Sequence, residues 1–374
     1  MTSALPAAKD LDVGALSRVF DNTTNAYKLL FFQALLNLFL TNYRPNQPAR
    51  FLLDDLAVEM AAIAWYPYSF FHLSFGVQDK TSEILDALQF SVNEAALGNP
   101  STQALLRQAI RDQSGTTQVS RVLRYAPYRL LQPFFQAELA GRPDHTKEAV
   151  TKTLSNETFL TRKPLYRLLE SDIPSLEFHP QWAEYIYRSF PLVKGWVTYK
   201  WIDYLHTRNP NMPAIPNKLA PPVTRSALTA QTDYWRTVMT VAPLKCIYSQ
   251  TPLDEKNFCL DHFLPWSFVC HDQLWNLIPV SPSANSAKSN RLPADEYVSC
   301  FIDRQCAALK TAHSVLKTNI WTKHTESFVG DLRIPKAGLL DNESVRAAYL
   351  GTLPAMISLA ERTGFASGWT YINN

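Results

Sequence analysis

The sequence is poor in glycine, in paired cysteines and in net charge. Only 11 glycines stand beside 25 prolines, a balance that argues against a glycine-rich β architecture and favours helices separated by rigid turns. The five cysteines contain no CxxC pair, which argues against a thiolate zinc site, and their odd number suits a reducing cytoplasm. The formal net charge is only +3, so any attraction to nucleic acid must come from local patches.

Nor does the sequence show the patterns from which we would expect a targeting or membrane-spanning segment. The first residues, MTSALPAAKDLDVGAL, have neither the basic region nor the apolar core of a secretory signal. The apolar run at residues 29–40 is too short to cross a bilayer, and the run at residues 60–77 contains Pro67 and His72. We therefore expect both runs to be buried core and the protein to be cytoplasmic, with no membrane segment.

What the sequence does contain is helical periodicity on both sides of a proline-rich connector. Apolar residues at three- and four-residue spacing predict helices at residues 25–40, 52–63, 81–97, 166–170, 298–316 and 343–362, the last interrupted at Pro354. Residues 208–222 contain repeated X-Pro steps, which favour extended geometry and predict an ordered connector. We place a domain boundary near Trp235.

The pattern changes after Leu244. Residues 245–249 and 258–263 are predicted to form two short strands joined by a polar turn. Ser281 followed by Pro282 predicts a helix start, with the serine as N-cap and the proline at the first helical position. This helix should end at about Asn290, so the predicted order is strand, strand, loop and helix.

The same stretch gathers most of the chemistry. Asn276 follows the Asp261-His262 dyad by fourteen residues, Asn285 comes nine residues later, and Lys288 three further on. Metal-assisted phosphodiester cleavage needs oxygen ligands for a cation, a base for the attacking water and a positive group near the phosphate. Asp261 and Asn285 can supply the oxygens, His262 the base and Lys288 the charge.

Backbone geometry restricts where these residues can lie. Successive side chains of a strand point to opposite faces, so Asp261 and His262 can serve one phosphate only where the strand ends. Asn285 and Lys288 are three residues apart on the predicted helix and therefore share a face.

The motif resembles that of HNH endonucleases, which have the ββα-metal fold, and specifically the subtype seen in RNA-guided CRISPR effector nucleases. The residues that carry the resemblance are DHFLPWSF, WNLIPV and NSAKSNRLP, all within Cys246 to Pro293. The resemblance implies Asp261 and Asn285 as ligands of Mg²⁺, for which Mn²⁺ can substitute. In the catalytic motif it implies His262 as general base, Asn276 as the middle residue that ties the loop to the strands, and Lys288 as a phosphate contact. Ser283 departs from the family pattern, in which an acidic residue often stands there.

The resemblance and the periodicity together predict an α+β fold: a mainly helical protein with an embedded ββα-metal domain. Residues 1–235 would form a helical positioning or regulatory domain, residues 236–296 the nuclease domain, and residues 297–374 a helical segment packing on it. The phrases RYAPYRLLQPFF and RNPNMPAIPNKL are similar to stretches of bacterial HNH proteins from antiphage loci, such as the nuclease of Zorya-type systems. That similarity implies protein partners from a defence operon.

Basic residues outside the motif are weaker candidates for nucleic-acid contacts. Arg121, Arg124 and Arg129 form a basic-aromatic cluster with Tyr125, which could contact a phosphate backbone or could equally be a solvated helix face. Arg291 has a better claim, because it lies at the end of the predicted catalytic helix. His271 is expected to be a surface loop residue.

Three functions fit these observations. The first is a Mg²⁺-dependent endonuclease that acts on DNA, with one site per chain and hence nicking by a monomer. The second is a non-catalytic nucleic-acid-binding or sensor protein whose ββα unit only docks on DNA. The third keeps the chemistry but makes the substrate RNA, since such sites contact the phosphate and not the sugar.

Overall fold

Helices dominate the structure, as the low glycine count predicts, and the expected mainly helical α+β fold is confirmed. The computed structural model describes residues 5–92, 96, 98–169, 172–221 and 227–372. Contacts divide the chain into two units: unit 1 comprises residues 1–210 and 215–223, and unit 2 comprises residues 211–214 and 224–374. Trp235, near which the sequence suggested a boundary, lies inside a helix of unit 2.

Unit 1 has eleven α-helices among its described residues. They are α1 (Val13–Ser17), α2 (Tyr27–Asn42), α3 (Leu53–Trp65), α4 (Thr81–Asp86), α5 (Pro100–Asp112), α6 (Ser114–Thr117), α7 (Ala126–Leu131), α8 (Gln136–Leu139), α9 (Asp144–Glu157), α10 (Pro180–Arg188) and α11 (Phe190–Arg208). A π-helical turn, Tyr66–Phe70, continues α3. The predicted helices at residues 25–40 and 52–63 correspond to α2 and α3.

Two other helix predictions in unit 1 need correction. The segment predicted as one helix over residues 81–97 is helical only in α4, and residues 93–95 and 97 lie outside the described residues. Residues 166–170 were predicted to be helical, but Tyr166–Leu169 form a strand and residue 170 is not described. Five residues are too few to distinguish the apolar period of a helix from that of a strand. Pairing with the neighbouring strand therefore decides which structure this segment adopts.

That strand belongs to a three-stranded antiparallel sheet in unit 1. Its strands are β1 (Arg50–Leu52), β2 (Tyr166–Leu169) and β3 (Ser175–Phe178), in the order β1-β3-β2. Glu177 of β3 faces Arg50 on one side and Arg167 on the other, and forms ion pairs with both at 3.3 and 2.6 Å.

The core of unit 1 is built around α2, which is apolar on nearly every side and therefore buried. Leu30, Phe31 and Leu35 are completely inaccessible to solvent. Residues 60–67 are likewise buried except for the half-buried Ile63, whereas Leu40, His72 and Val77 are exposed, so each long apolar run is core except at its C-terminal end. No helix in the described part of the chain is long and apolar enough to cross a membrane.

Unit 2 contains six further helices and two strands among its described residues. They are α12 (Thr229–Val241), β4 (Cys259–His262), α13 (Trp266–Val269), β5 (Leu277–Val280), α14 (Pro282–Lys288), α15 (Glu296–Val315), α16 (Thr318–Gly330) and α17 (Asn342–Arg362). Strands β4 and β5 pair in antiparallel register, with Asp261 opposite Ile278 and His262 opposite Leu277.

The order of strands differs from the prediction. Residues 245–249 were predicted to be a strand, but only Lys245 forms an isolated bridge, to Pro252, and the rest is a turn. The partner of β4 is β5, which contains Pro279. In a two-stranded sheet a proline can turn its missing N–H away from the partner, so the sheet tolerates it.

Two long helices support the sheet. Phe301 of α15 stacks on Phe263 with ring centroids 4.1 Å apart, and the Gln305 amide donates to the Leu277 carbonyl over 2.9 Å. From α17 the Tyr349 hydroxyl donates to the Trp275 carbonyl over 2.8 Å. Helix α17 runs through the exposed Pro354 without the predicted interruption.

The segment after α17 returns to the chain that follows α14. The Leu292 N–H donates to the Ala366 carbonyl over 2.8 Å, and Ala294 and Leu292 exchange backbone hydrogen bonds with Trp369 at 2.9 and 3.0 Å. The Tyr371 hydroxyl lies 3.2 Å from the Ser283 hydroxyl of α14. Residues 366–371 are therefore part of the framework that holds α14.

Candidate active site

The dyad forms the last two residues of β4, and both residues are still paired with β5. His262 is the last residue of the strand, and its side chain is 11% exposed. Asp261 points to the opposite face, where it is almost fully buried. The two side chains therefore have different partners.

The Asp261 carboxylate is held by two buried groups. Its Oδ1 accepts from Lys288 Nζ over 3.1 Å, and its Oδ2 accepts from the Tyr248 hydroxyl over 2.8 Å. Burial, together with the Asp261 carboxylate, raises the pKa of Tyr248 well above its ordinary value, so the phenol stays protonated and donates a hydrogen bond. Sequence reasoning did not identify Tyr248, since only the folded turn after Lys245 brings it to β4.

Lys288 lies on α14 and is completely buried. Besides Asp261, its ammonium group donates to the His262 carbonyl over 2.7 Å. A buried charge is tolerated only when it is paired and hydrogen-bonded, which both contacts provide. In this structure the group that the sequence suggested as a phosphate contact links α14 to the dyad.

His262 contacts a carboxylate that the sequence analysis did not select. Its Nε2 lies 2.8 Å from Asp272 Oδ1. An ionised carboxylate only accepts hydrogen bonds, so Nε2 is the donor in this contact, and in the neutral imidazole Nδ1 is the nitrogen that keeps its lone pair. The Asp272 carbonyl accepts from Gln231 of α12 over 3.0 Å, which fixes the loop that presents the carboxylate. The only signal in the sequence was an acidic residue ten positions after His262.

Asn276 ties the loop between the strands to β4. Its Oδ1 accepts from the Leu264 N–H and its Nδ2 donates to the Leu264 carbonyl, both over 2.9 Å. The side chain has no exposed surface. In this structure both ends of the Asn276 amide are hydrogen-bonded to the backbone of Leu264, which holds the loop against the end of β4.

Asn285 is placed by a capped helix start. Ser281 accepts from the Ala284 N–H as N-cap, and Pro282 occupies the first turn, as the sequence predicted. The Asn285 side chain is half-buried, and the described residues offer it no hydrogen-bond partner. It is therefore available to an external ligand. Helix α14 ends at Lys288, two residues before the predicted end.

Asp261 and Asn285 carry oxygen donors of the type that a hard divalent cation takes. A carboxylate offers about four lone pairs, and Lys288 and Tyr248 use two of those on Asp261. The amide oxygen of Asn285 is a second oxygen donor. Two protein ligands suffice for Mg²⁺, which usually keeps several waters and takes substrate phosphate oxygens. The described residues contain no cluster of three His, Cys, Asp or Glu side chains that would hold a metal more fully.

The other predicted contacts lie on helix ends and loops. Arg291 is exposed, donates to the Lys288 carbonyl over 3.3 Å, and has its guanidinium 5.6 Å from the Trp369 ring centre. His271 is partly buried against Trp275, which lowers its pKa through burial. It was expected to be a surface residue, and the ring contact explains why it is not fully exposed.

The predicted basic cluster of unit 1 borders a set of adjoining cavities. Three cavities of about 210, 390 and 870 Å³ share lining residues, and Arg129 lines all three. We call them together the basic groove, since three carboxylates but seven basic side chains line them: Arg18, Lys28, Lys80, Arg121, Arg124, Arg129 and Lys147. The guanidinium groups of Arg124 and Arg129 lie 4.9 and 4.5 Å from the Tyr125 ring centre.

Comparison with known proteins was informative for one segment. Residues 246–294 match the family model described as HNH endonuclease. No curated protein and no solved structure matches the chain. The matched segment spans β4, β5 and α14, and the expected similarity to this family is thereby confirmed for it. Over residues 246–294 the chain is similar to HNH endonucleases, nucleases that generally use divalent metal ions.

Proposed function

We propose that the chain is a metal-dependent endonuclease that hydrolyses phosphodiester bonds of DNA. The observation that carries the proposal is the contact between His262 Nε2 and Asp272 Oδ1 at 2.8 Å. An imidazole held through one nitrogen by a carboxylate, with the other nitrogen free, is the arrangement of a general base. It lies within the segment similar to HNH endonucleases.

The mechanism assigns a role to each side chain. His262 Nδ1 takes the proton from the attacking water, and Asp272 holds the ring and stabilises the imidazolium that forms. Asn276 fixes the loop that carries Asp272. Attack of the water on phosphorus releases the 3′-oxygen and leaves a 5′-phosphate.

The metal would be held by Asp261 and Asn285. We assign Mg²⁺, with Mn²⁺ able to substitute, because both ligands are hard oxygens. When bound, the cation polarises the phosphate and stabilises charge on the leaving oxygen. Lys288 keeps the Asp261 carboxylate in position, through the 3.1 Å contact from the neighbouring helix.

The basic groove supports a nucleic-acid substrate. Seven basic against three acidic lining side chains leave four positive charges in excess. Such an excess attracts a phosphate backbone without reading its sequence. Arg121, Arg124 and Arg129 are our candidates for these contacts, with Tyr125 as a ring on which a base can stack.

The choice of DNA and the biological setting rest on the sequence resemblance. The DHFLPWSF, WNLIPV and NSAKSNRLP motifs are similar to those of HNH domains in RNA-guided CRISPR effector nucleases. We place the protein in bacterial defence against phage, with a Zorya-type system as the candidate and operon-encoded proteins as its partners.

The decisive experiment uses supercoiled plasmid. With Mg²⁺ the purified protein should convert it to the nicked form, and EDTA should prevent this. His262→Ala should lower the rate at least about a hundredfold, as expected for loss of a general base. His271→Ala is the matched control, since this histidine lies nine residues after His262 in the loop that carries Asp272, and it should keep most of the activity. Equal rates for wild type and His262→Ala would refute the assignment.

The two other functions are arms of the same experiment. Labelled RNA should be cut more slowly than DNA, and the reverse result would make the protein a ribonuclease. A non-catalytic binding protein would bind the plasmid without cleaving it in Mg²⁺ or Mn²⁺. Its binding would also be unaffected by Asn285→Ala.

A further inference from the structure

The basic groove of unit 1 combines its cations with neutral amide side chains. Six asparagines and glutamines line its three cavities: Asn22, Asn25, Gln78, Gln118, Gln132 and Gln136. None of them is buried, and the described residues offer their side-chain amides no hydrogen-bond partner. A primary amide carries two donors and an acceptor oxygen, so it matches the polar edge of any nucleobase. The lining therefore has groups for bases as well as for phosphates.

The positive charges that are free to bind phosphate are arginines. Arg18, Arg121 and Arg124 are exposed, and no carboxylate among the described residues lies at ion-pair distance from them. The lining cations that do pair with a carboxylate are Lys80, Arg129 and Lys147. Three guanidinium groups are thus available to anions from outside the protein.

The three cavities form one continuous path. The cavity of about 210 Å³ shares Lys28 with the cavity of about 390 Å³, and it shares Tyr125 with the cavity of about 870 Å³. It therefore connects the two larger ones. Arg18 lines the 390 Å³ cavity, while Arg121 and Arg124 line the 870 Å³ cavity, so free arginines lie towards both ends of the path.

The backbone places Arg121 and Arg124 side by side. Arg121 belongs to the 3₁₀ turn Val119–Leu123, and Arg124 is its C-cap, with helical φ and ψ angles of −41°. Residues three apart on a 3₁₀ helix are eclipsed and are separated by about 6 Å along the axis. Neighbouring phosphates of one nucleic-acid strand are separated by a comparable distance. The pair therefore suits a single strand that runs along the groove.

An unpaired strand matches this lining better than a duplex does. In a duplex the bases are paired with each other, and their remaining edges are reached only through its grooves. Unpaired bases present their polar edges freely, and the two larger cavities have the size of sites that hold small organic ligands. We propose that the basic groove binds an unpaired nucleic-acid strand, with its phosphates on the free arginines and its bases against the amides.

This inference rests on the proposed function, since it makes the substrate of the nuclease a DNA with an unpaired segment. Supercoiled plasmid provides such segments, because negative supercoiling favours separation of the strands. Binding is measured apart from cleavage, so that each of the two proposals is tested by its own result.

The full-length His262→Ala protein is titrated with three labelled probes at one salt concentration. They are a mixed-sequence DNA strand, its blunt duplex, and an abasic strand of the same length, which has phosphates without bases. We expect the intact strand to bind about tenfold more tightly than either of the others. If the duplex or the abasic strand binds as tightly as the intact strand, or if no probe binds, the proposal fails, whatever the plasmid assay shows. A preference for the intact strand supports it even where wild-type protein does not nick plasmid, a result that would overturn only the nuclease.

Variants in the same background locate the preference in the groove. Asn25→Leu/Gln132→Met keeps the size of both side chains and removes their amides, so it should weaken binding of the intact strand about tenfold and leave binding of the abasic strand unchanged. Arg121→Ala should weaken both by a similar factor, because it removes a phosphate contact. Gln181→Met is the matched control, since this exposed glutamine of unit 1 lines none of the three cavities. If the intact strand binds the double variant as tightly as it binds the control, the groove does not hold bases and the proposal is overturned.

Discussion

At the scale of single residues, the site depends on two carboxylates with different tasks. Asp272 faces the imidazole of His262, while Asp261 faces an ammonium and a phenol. One orients a base, and the other is the oxygen donor that we assign to the metal. Their substitutions should therefore change different measurable quantities.

Asp272→Asn tests the orienting role. The amide can present its NH₂ to His262 and favour the tautomer with the proton on Nδ1, which cannot accept a proton from water. We expect kcat for plasmid nicking to fall about 10- to 100-fold, with little change in KM. Asp331→Asn is the control, because this carboxylate accepts from Trp275 in the same unit and does not contact His262. An unchanged kcat in Asp272→Asn would remove Asp272 from the mechanism.

Lys288→Met tests the buried pair through stability. Removing one partner leaves the Asp261 carboxylate buried without its cation, which costs about 3–5 kcal/mol. The midpoint of urea unfolding should fall accordingly, and the double variant Asp261→Leu/Lys288→Met should recover much of the loss. Lys147→Met removes an exposed ion pair with Asp144 and should change stability little. A Lys288→Met protein as stable as wild type would show that the pair does not form.

At the scale of elements, caps and apolar periods within a segment predicted the helices well. The pairing of strands could not be predicted from the sequence. The Ser281-Pro282 start of α14, the apolar run of α2 and the apolar stripes of α3 and α15 follow from periods and caps within the elements themselves. Strand β5 escaped prediction because its four residues contain Pro279 and its partner is fifteen or more residues away. The helix predicted at residues 166–170 is a strand for a related reason: β3 alone decides it.

The candidate site likewise contains residues that the sequence could select and residues that only the folded structure identifies. The residues of the motif could be proposed from the sequence because their types and spacing match the chemistry, and their roles stay predictions. Asp272 and Tyr248 could not be selected, because what distinguishes them is a contact made only after the loop and the turn have folded onto β4. The burial of Lys288 was equally invisible, since the sequence shows a face of α14 but not what covers it.

At the scale of the whole molecule, binding of DNA should depend on pH through the basic groove. Burial, with Arg129 close by, lowers the pKa of Lys28 to about 8. Its ammonium is charged below that pH and neutral above it, so affinity for DNA should fall severalfold between pH 7 and pH 9. Fluorescence anisotropy of a labelled oligonucleotide at constant salt, with the His262→Ala protein, would measure this.

The matched variant for that titration is Lys28→Arg. Arginine stays charged throughout this range, so the fall in affinity between pH 7 and pH 9 should largely disappear. If the variant loses affinity with pH as much as the parent does, another group is responsible. Arg124→Ala should lower the affinity for DNA at every pH. It should also reduce by about one the slope of the logarithm of the binding constant against the logarithm of the salt concentration.

The pairing of residues 292–294 with residues 366–369 has a consequence for synthesis of the protein. A ribosome makes β4, β5 and α14 long before it reaches Trp369, whose ring contacts those of Tyr248 and Tyr297. Until then Leu292 and Ala294 lack their backbone partners, and Tyr248 lacks part of the packing that holds it against Asp261. A nascent chain therefore contains every residue of the nuclease motif before it contains residues 366–369, which pair with the segment after α14. The site can be completed only after these residues have been synthesised.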